Sequence, residues 1–376
     1  MRIPRSAPLA FLFITFLPSL LHAIDPEAFV WPSPVSIPSN LPFGPYLSRC
    51  QSILQTGQSD NDLLLYSPTL PNPLDSDLSR YLDPTFSPTA VTLRENGYSF
   101  DTAPDHLLLT ARAEHGQIIL GNNHYRALII PPVQFLPPSI IKKLPTLAAP
   151  ILYTSSTSDL LTSLAQSRIP RESLADTGLH FIRRSYSRGY YYFLFNPTSH
   201  PIDAWLPLAT PAAAAIILDP QSQDHIGTAA VRHRGPSAEI YLQLSPGQSL
   251  ALRTFTSIQP SGPVWKYFQP FKPSLPLSGP WQATHLPSST RYSTDFDTPS
   301  TRCSDWLLDL GPIHTIATVT LNNHQFEPLC RPPYSLHIGT YLAEGSNHLD
   351  IDLPIPADLH VHLIPLKQFD PAQEDR

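Results

Sequence analysis

Acidic side chains that could act as a general acid or a nucleophile occur in the first third of the sequence. The candidates are Glu95, Asp101, Asp105 and Glu114. Acid–base catalysis of this kind needs two carboxylates held at a fixed separation. No catalytic motif surrounds any of the four, and Asp101 comes directly before a predicted helix. Capping that helix or fixing the adjoining loop is therefore the favoured role for Asp101, and the catalytic residues stay unknown.

The 15 histidines do not form a recognisable metal motif, because no HExxH or comparable pair occurs. His360 and His362 fall on one face of a possible strand, but no third ligand lies nearby in the sequence. We interpret both as solvated surface side chains, and we predict neither a metal site nor a cofactor.

The sequence also lacks the motifs of a serine or cysteine nucleophile and of a phosphate-binding loop. A Gly-x-Ser-x-Gly elbow is absent from the sequence. Gly121-Asn122-Asn123 precedes a predicted strand instead of opening a helix, so nucleotide binding has no support. No cysteine lies between Cys50 and Cys303, which excludes the strand-to-helix cysteine nucleophile of an amidotransferase.

Composition limits the class of protein. A net charge of −6, with 14% charged residues and no basic run, argues against binding to nucleic acid. Proline accounts for 45 of the 376 residues, which is about 12% and over twice the usual share. Proline ends helices and interrupts strands, so we expect β structure with long surface connections. The 41% of hydrophobic residues favours folded domains over disorder.

The amino-terminal residues have the pattern of an export signal. Arg2 and Arg5 precede an apolar run from Leu9 to Leu21, and Ala23 is a plausible cleavage residue. The run is short for a membrane span, and no second apolar segment is long enough to cross a bilayer. We therefore expect a secreted or periplasmic chain that does not contact the membrane after cleavage, with an uncleaved anchor as the minority alternative.

Strand patterns are clearest between Trp306 and Leu353. Residues 316–321 alternate branched apolar and small polar side chains, as a strand with one buried face does. Asn322-Asn323 follows as a tight turn, because asparagine tolerates positive φ better than other non-glycine residues. Residues 348–353 alternate again. Short strands joined by such turns favour an antiparallel sandwich.

The same residues resemble a known module. The pattern W-x-LDLG-x-I-x-x-x-A-x-V-x-LN, followed by PPY and L-x-EG-x-N-x-L-x-I, is similar to the sugar-binding jelly-roll domain of glycoside hydrolase family 2. That module also closes the family 106 α-L-rhamnosidases. Where such modules usually have NG-x-x-LG, residues 322–326 are NNHQF. The hairpin can survive this change, since asparagine can take the glycine conformation at modest cost.

An earlier segment resembles the region behind the catalytic barrel of family 106. Its motifs are PFGPYLSRCQSILQTGQSDNDLLLY, GYSFD, G-x-x-YRALIIPP and LPPSIIKKL. In those enzymes several hundred residues of barrel, with the catalytic carboxylates, come first; here the predicted signal peptide stands in that place. The resemblance therefore implies the non-catalytic rear half of a rhamnosidase-like protein.

These patterns predict a multidomain chain, α/β followed by all-β. We expect a signal peptide at 1–23, a proline-rich lead-in and helix at 24–60, and a small parallel α/β domain, amidotransferase- or flavodoxin-like, at 61–165. Two antiparallel β-sandwiches follow at 166–258 and 259–376, the second a jelly roll of the galactose-binding type.

Sugar binding needs exposed aromatic rings that stack on the sugar, with amides or carboxylates beside them. Candidates in the last module are Trp281, Tyr292, Trp306 and Tyr334. Core packing is favoured for Trp306, whereas we expect Tyr334 to lie outside the core because it follows a Pro-Pro turn.

The sequence contains three cysteines, at positions 50, 303 and 330. In an oxidising compartment Cys303 and Cys330 could form a disulfide within the last module, which would leave Cys50 free. Three unpaired thiols are an equally open alternative.

The favoured function is that of a secreted, non-catalytic protein that binds carbohydrate, such as a rhamnose-containing polysaccharide, or assists a separate glycosidase barrel. The alternative is an α-L-rhamnosidase-like glycoside hydrolase that acts with a separately encoded barrel or through residues the sequence does not identify. A third, weaker hypothesis is a gene product without function. Nucleic acid and membrane are not expected partners.

Overall fold

The computed structural model describes residues 43–68, 87–133, 135–235 and 237–374. The predicted signal peptide and residues 24–42 of the predicted lead-in lie outside these ranges. Within them, no helix combines the length and the apolar character that crossing a bilayer requires.

The first part of the described chain is mixed α/β, with short 3₁₀ helices at Leu144–Leu147 and Ser173–Thr177. Its elements are α1 (Gly44–Gln55), β1 (Gln58–Ser59), β2 (Leu63–Tyr66), α2 (Pro88–Glu95), β3 (Phe100–Ala103), α3 (Asp105–Thr110), β4 (Arg112–Glu114), β5 (Gln117–Leu120), β6 (Asn123–Tyr125), β7 (Ala127–Ile130), α4 (Pro138–Lys143), β8 (Ile151–Tyr153) and α5 (Thr157–Gln166).

Four of these strands form a parallel sheet in the order β3-β2-β7-β8. All of β2 is buried, because its two faces contact different clusters. Leu64 and Tyr66 pack with Leu108 of α3, whereas Leu63 and Leu65 pack against α2 and α5 on the opposite face. A continuous apolar run is what a strand covered on both faces requires. The likeness to amidotransferase or flavodoxin folds stays a prediction.

The second part of the chain is all-β. Its strands are β9 (His180–Tyr186), β10 (Gly189–Phe195), β11 (Ile202–Leu208), β12 (Ala214–Leu218), β13 (Ile226–Thr228), β14 (Val231–Arg234), β15 (Ser237–Leu244) and β16 (Ser249–Phe255). They form two antiparallel sheets, β1-β9-β10-β16-β12-β13 and β11-β15-β14. The core between these sheets contains Tyr192, Leu242 and Leu252.

Helix α1 covers the outer face of the six-stranded sheet. Its residues Tyr46, Cys50 and Ile53 pack against the sheet, which explains why all seven residues of β16 are buried. The helix ends at Gln55, shortly before Gly57, which has a φ of +72°. A Cβ at this position would lie 2.2 Å from the carbonyl oxygen of Ser185. Because β1 also pairs with β9, residues 44–59 belong structurally to this sandwich.

The last part of the described chain forms a second sandwich. Its strands are β17 (Tyr267–Pro270), β18 (Leu275–Pro276), β19 (Gln282–His285), β20 (Thr290–Asp297), β21 (Asp305–Asp309), β22 (Thr318–Leu321), β23 (His324–Gln325), β24 (Ser335–His337), β25 (Ser346–Leu353) and β26 (His362–Phe369); a 3₁₀ turn spans Gly339–Tyr341, and α6 (Pro371–Glu374) follows. One sheet has the order β17-β26-β21-β24, with β18 also on β26, and the other has the order β19-β20-β25-β22-β23.

The predicted alternation is confirmed in this sandwich. In β25 the residues Leu349, Ile351 and Leu353 are fully buried, and the polar residues between them face outward. Asn322 and Asn323 have φ values of +50° and +66°, so the asparagine pair forms the left-handed turn expected of it. The prediction of several β-sheets packed as sandwiches is therefore confirmed; the jelly-roll assignment stays a prediction.

The structure forms no disulfide among Cys50, Cys303 and Cys330, and a bridge between Cys303 and Cys330 stays a prediction. Cys303 packs against the core of the last sandwich, just ahead of β21. The Cys330 thiol instead donates to the carbonyl oxygen of Pro328, at 3.3 Å, within its own loop. Both sulfur atoms thus contact local partners and not each other.

Candidate functional site

Two of the four predicted sugar-stacking residues are core residues. Trp306 is 5% exposed and Tyr334 is 9% exposed, and both pack between the two sheets of the last sandwich. The expectation that Tyr334 lies outside is therefore wrong. Its carbonyl oxygen accepts a hydrogen bond from the backbone N–H of Leu310 at 3.0 Å, which holds this segment beside β21 and turns the ring into the core.

The other two, Trp281 and Tyr292, are half-buried and pack against the same core. The indole N–H of Trp281 donates to the carbonyl oxygen of Leu277 at 3.1 Å. All four aromatic residues thus contribute to one core, and the structure does not assemble them into an exposed platform. Their role in sugar binding stays a prediction.

A different set of rings reaches the surface of the same sandwich. His324, Phe326 and Tyr341 form what we call the edge cluster, where strand β23 meets the 3₁₀ turn. The rings of His324 and Tyr341 stack with centroids 4.1 Å apart and an interplanar angle of 18°. Phe326 contacts both rings edge-on, at 4.8 and 4.9 Å. Tyr341 is 38% exposed, so the cluster presents aromatic surface to solvent.

The amides of half-buried Asn322 and buried Asn347 fix the loops that carry the edge cluster. The Asn322 side chain donates to the carbonyl oxygen of Tyr341 at 2.9 Å and to Oδ1 of Asn347 at 2.7 Å. Asn347, only 1% exposed, donates in turn to the hydroxyl of Thr298 at 2.8 Å. This network joins the β22–β23 turn, the 3₁₀ turn and the start of β25, so the three rings are held by a rigid frame.

Polar side chains cover the outer face of the sheet that contains β23. Arg291 forms a two-pronged pair with Asp352, at 2.8 and 2.7 Å. His348 lies between Asp295 and Asp350, with nitrogen–oxygen distances of 2.6 and 3.3 Å. The hydrogen bond that the His348 ring donates to Asp295, and then the negative charge of the nearby carboxylates, raise the pKa of His348. Because the backbone N–H of His348 donates to Asn322, this hydrogen-bonding face adjoins the edge cluster.

The four candidate catalytic carboxylates do not form a pair. Asp101 accepts hydrogen bonds from the Tyr125 hydroxyl at 2.9 Å and from the Ser59 hydroxyl at 3.2 Å. Asp105 accepts from the Tyr66 hydroxyl at 2.6 Å. Glu95 and Glu114 are exposed at the surface. The two aspartates thus hold neighbouring strands in place, which agrees with the loop-fixing role expected of Asp101.

His362, which is half-buried, is the first residue of β26, and His360, which is exposed, lies two residues before it. Among the residues that the structure describes, no group of three or more His, Cys, Asp or Glu side chains is placed to hold a metal ion. The solvated interpretation fits His360, whereas Nδ1 of His362 is buried without a hydrogen-bond partner.

A pair of histidines, His225 and His337, lies where the two sandwiches meet. The ring of His225 stacks on Trp265 at 4.0 Å and lies 6.1 Å from the ring of His337. Nδ1 of His225 lies 3.2 Å from Asp219, and Nδ1 of His337 lies 2.7 Å from Asp305. Sequence reasoning missed this cluster, because its members are separated by up to about a hundred residues and share no motif.

A buried ionic cluster joins the parallel sheet to the first sandwich. Arg183 on β9 pairs with Asp60, with Asp62 and with Glu172, the last at 2.7 Å. Glu172, 1% exposed, also accepts from the Tyr192 hydroxyl at 2.7 Å. Burial would lower the pKa of Arg183, but the surrounding anionic groups raise it, so the guanidinium stays charged. The position and full pairing of the cluster indicate a structural role.

Comparison with known proteins gives a likeness of fold. No protein-family model and no curated protein matches the sequence. A solved rhamnosidase from Novosphingobium sp. PP1Y is similar to 83% of this chain, with 14% identity and a TM-score of 0.60. The chain spans 36% of the length of that rhamnosidase.

Two further solved glycoside hydrolases have TM-scores too low to carry an argument. A β-porphyranase of family 86 from Bacteroides plebeius has 12% identity and a TM-score of 0.17, covering 52% of this chain and 37% of its own. An isomalto-dextranase from Arthrobacter globiformis T6 has 12% identity and a TM-score of 0.14, covering 60% and 46%. The chain therefore shares its fold with part of a rhamnosidase, and membership of family 106 stays a prediction.

Proposed function

We propose that this protein is an exported carbohydrate-binding or accessory module of a glycoside hydrolase system, and that the edge cluster is its sugar-contacting surface. The observation that carries the proposal is the exposed stack of His324 on Tyr341, which the amides of Asn322 and Asn347 hold in place. Aromatic rings bind the apolar faces of sugars, and adjoining polar groups bind their hydroxyls.

The surroundings of the edge cluster supply those polar groups. The outer sheet face beside it carries Asp295, His348 and Asp350, which offer both donors and acceptors to hydroxyl groups. The fold shared with a solved rhamnosidase supports a saccharide as the ligand. Rhamnose-containing polysaccharide is the class that we propose, on the resemblance of the sequence motifs to family 106.

Export is part of the proposal and rests on the sequence alone. The Arg2 and Arg5 charges and the apolar run that follows are the supporting features. Amino-terminal sequencing of the protein recovered from culture medium or periplasm tests it, and a mature chain that begins after Ala23 is the expected result.

Affinity electrophoresis in gels that contain rhamnose-rich plant or bacterial polysaccharide tests the binding function. We expect retardation of the native protein and a dissociation constant raised by a factor of about five for Tyr341→Ala, because one aromatic contact contributes about 1 kcal/mol. His324→Ala should behave alike. Tyr153→Ala is the matched control, since Tyr153 is 61% exposed but lies on the parallel sheet.

Two outcomes would contradict this function. Equal retardation of the Tyr341→Ala and Tyr153→Ala variants would place the binding surface elsewhere. Release of rhamnose from an aryl rhamnoside by the purified chain alone would instead support the alternative, a catalytic glycoside hydrolase. Incubation of the aryl rhamnoside with the Tyr341→Ala variant would then show whether the edge cluster takes part in that reaction.

A further inference from the structure

A cavity of about 310 Å³ lies on the part of the chain that contains the parallel sheet, remote in sequence from the edge cluster. Arg126 and Pro150 border it immediately before strands β7 and β8, so the cavity lies at the amino ends of these strands. The lining residues are His115, Gly116, Gln117, Arg126, Pro150, Ser167, Arg168 and Ile169. We call this cavity the basic pocket.

The basic pocket has more positive than negative charge on its wall. Arg126 and Arg168 both line it, and no carboxylate does. Nε of Arg126 lies 2.8 Å from Asp62, but Asp62 also pairs with Arg183 at 3.0 Å. One carboxylate is thus shared by two guanidinium groups, which leaves Arg126 only partly neutralised.

Arg168 carries the least compensated charge of the pocket. It is exposed, and among the ion pairs of the described residues none involves it. His115, the third basic side chain, lies 3.7 Å from Glu114, but both side chains are largely exposed to solvent. Exposed pairs of this kind contribute little, so Glu114 does not offset the charge of the pocket wall.

The backbone carries Arg168 in a conformation that favours glycine. Its φ is +51°, and His115 across the pocket has a φ of +50°. Arg168 occupies the residue after helix α5 where glycine is usual, with the N–H of Ile169 donating to the carbonyl oxygen of Leu164 at 3.2 Å. A side chain at such a position costs about 1 kcal/mol relative to glycine. The β4–β5 turn and the end of α5 therefore place two basic residues, His115 and Arg168, at the border of one cavity.

We propose that the basic pocket binds an oxyanion, the carboxylate or sulfate group of an acidic saccharide. A guanidinium group can donate two parallel hydrogen bonds to such a group, and both Arg126 and Arg168 line the pocket. Gln117 and Ser167, also in the lining, carry an amide and a hydroxyl that can donate further hydrogen bonds. A volume near 310 Å³ accommodates one sugar ring with its acidic group. The oxyanion site stands on the pocket alone; only the choice of a saccharide as carrier rests on the proposed function.

Calorimetric titration of the full chain with three probes tests this site: a galacturonic acid trisaccharide, the corresponding neutral galactose trisaccharide and inorganic sulfate. We expect the acidic trisaccharide to bind in low salt, the neutral one not to bind, and Arg168→Gln to weaken binding at least ten-fold. Arg168→Gly removes the same charge while relieving the backbone, so it should lose binding with no loss of thermal stability. Lys142→Gln is the matched control, because Lys142 is exposed and outside the pocket.

The outcomes separate this site from the edge cluster. Binding of sulfate as strong as that of the acidic trisaccharide, and dependent on Arg168, would keep the oxyanion site and overturn the saccharide carrier. Equal binding of the neutral and acidic trisaccharides, or binding unchanged in Arg168→Gln, would overturn the site. Tyr341→Ala should leave the acidic trisaccharide affinity unchanged, so failure of the edge cluster as a binding surface does not affect this test.

Discussion

Nδ1 of His337 lies 2.7 Å from Oδ2 of Asp305, at the seam between the two sandwiches. The other oxygen of Asp305 accepts from the backbone N–H groups of Trp306 at 2.8 Å and Gly339 at 2.9 Å. Burial alone would raise the pKa of Asp305, but these three hydrogen bonds and the imidazole outweigh burial and lower it. The ionised form of Asp305 is therefore the one that the fold stabilises.

The stability that Asp305 contributes should be lost in acid. A carboxyl group whose pKa is lower in the folded state stabilises the fold above its unfolded pKa, near 3.9, and ceases to do so as pH falls through the folded pKa. We expect Asp305→Asn to lower the free energy of unfolding by about 1–2 kcal/mol at pH 7. Urea denaturation at pH 7 and at pH 3 measures this difference, which should shrink at pH 3. A difference that is equal at both pH values would contradict the assignment.

The buried ionic cluster should dominate the stability of the junction between the parallel sheet and the first sandwich. Arg183→Ala leaves Glu172 buried without its cation, and we expect a loss of about 3–5 kcal/mol. The matched control is Arg171→Ala, which breaks an exposed pair with Asp176 and should cost less than about 1 kcal/mol. Urea denaturation of the two variants measures these losses of stability. Equal losses for the two variants would show that the cluster is not coupled to unfolding.

Cys50 should be the least reactive of the three cysteines toward thiol reagents. Burial raises the pKa of Cys50 to about 12 and of Cys330 to about 11, and it also raises the pKa of Cys303. Because the thiolate is the reactive form, Cys50 should be protected in the folded protein and should react only on unfolding. Titration with a chromogenic disulfide at pH 8, with and without urea, measures this. Reaction of Cys50 without urea would contradict this prediction, and mass spectrometry of the purified protein would show whether a disulfide joins Cys303 and Cys330.

The hydrogen bonds of Asn347, which hold the loops of the edge cluster, should contribute more to stability than the side chain of Asn323 in the adjoining turn. Asn347→Ala removes five hydrogen bonds from a buried site, including those to Asn322 and Thr298. We expect a loss of about 2 kcal/mol or more and weaker polysaccharide binding. Asn323→Gly is the control, because Asn323 is exposed with a φ of +66° and should change stability by less than about 1 kcal/mol. Thermal unfolding and affinity electrophoresis of both variants provide the measurements, and unchanged binding by Asn347→Ala would separate the frame from the site.

Periodicity predicted the local structure of the last sandwich because one face of each strand is buried. The alternation in residues 348–353 and the Asn322-Asn323 turn depend on neighbours a few residues away, and both agree with the structure. Helix α5, in contrast, was not predicted, although Ser156 caps it by accepting from the N–H of Asp159. A serine followed by an apolar repeat was the available signal.

The edge cluster forms through contacts between residues that are distant in sequence, and no local sequence pattern reveals such contacts. His324 and Phe326 stand where the resemblance to sugar-binding modules breaks down, which was a usable signal. Their partner Tyr341, however, comes from a separate loop, and only packing brings it to them. Tyr334 was misplaced for the same reason: the Pro-Pro turn suggested a surface, but the pairing with Leu310 directs the ring into the core.

The contacts of Arg49 on helix α1 also determine when this helix can reach its final position during synthesis. Its Nε donates to the carbonyl oxygen of Pro220 at 2.7 Å, and its guanidinium pairs with Glu327 of the last sandwich. Helix α1 leaves the ribosome long before either partner has been made. The helix must therefore wait, with its apolar face uncovered, until the first sandwich exists, and its ion pair can close only after Glu327 has emerged. In this interval a chaperone, or the first sandwich as it forms, would protect the chain from aggregation by covering Ile53.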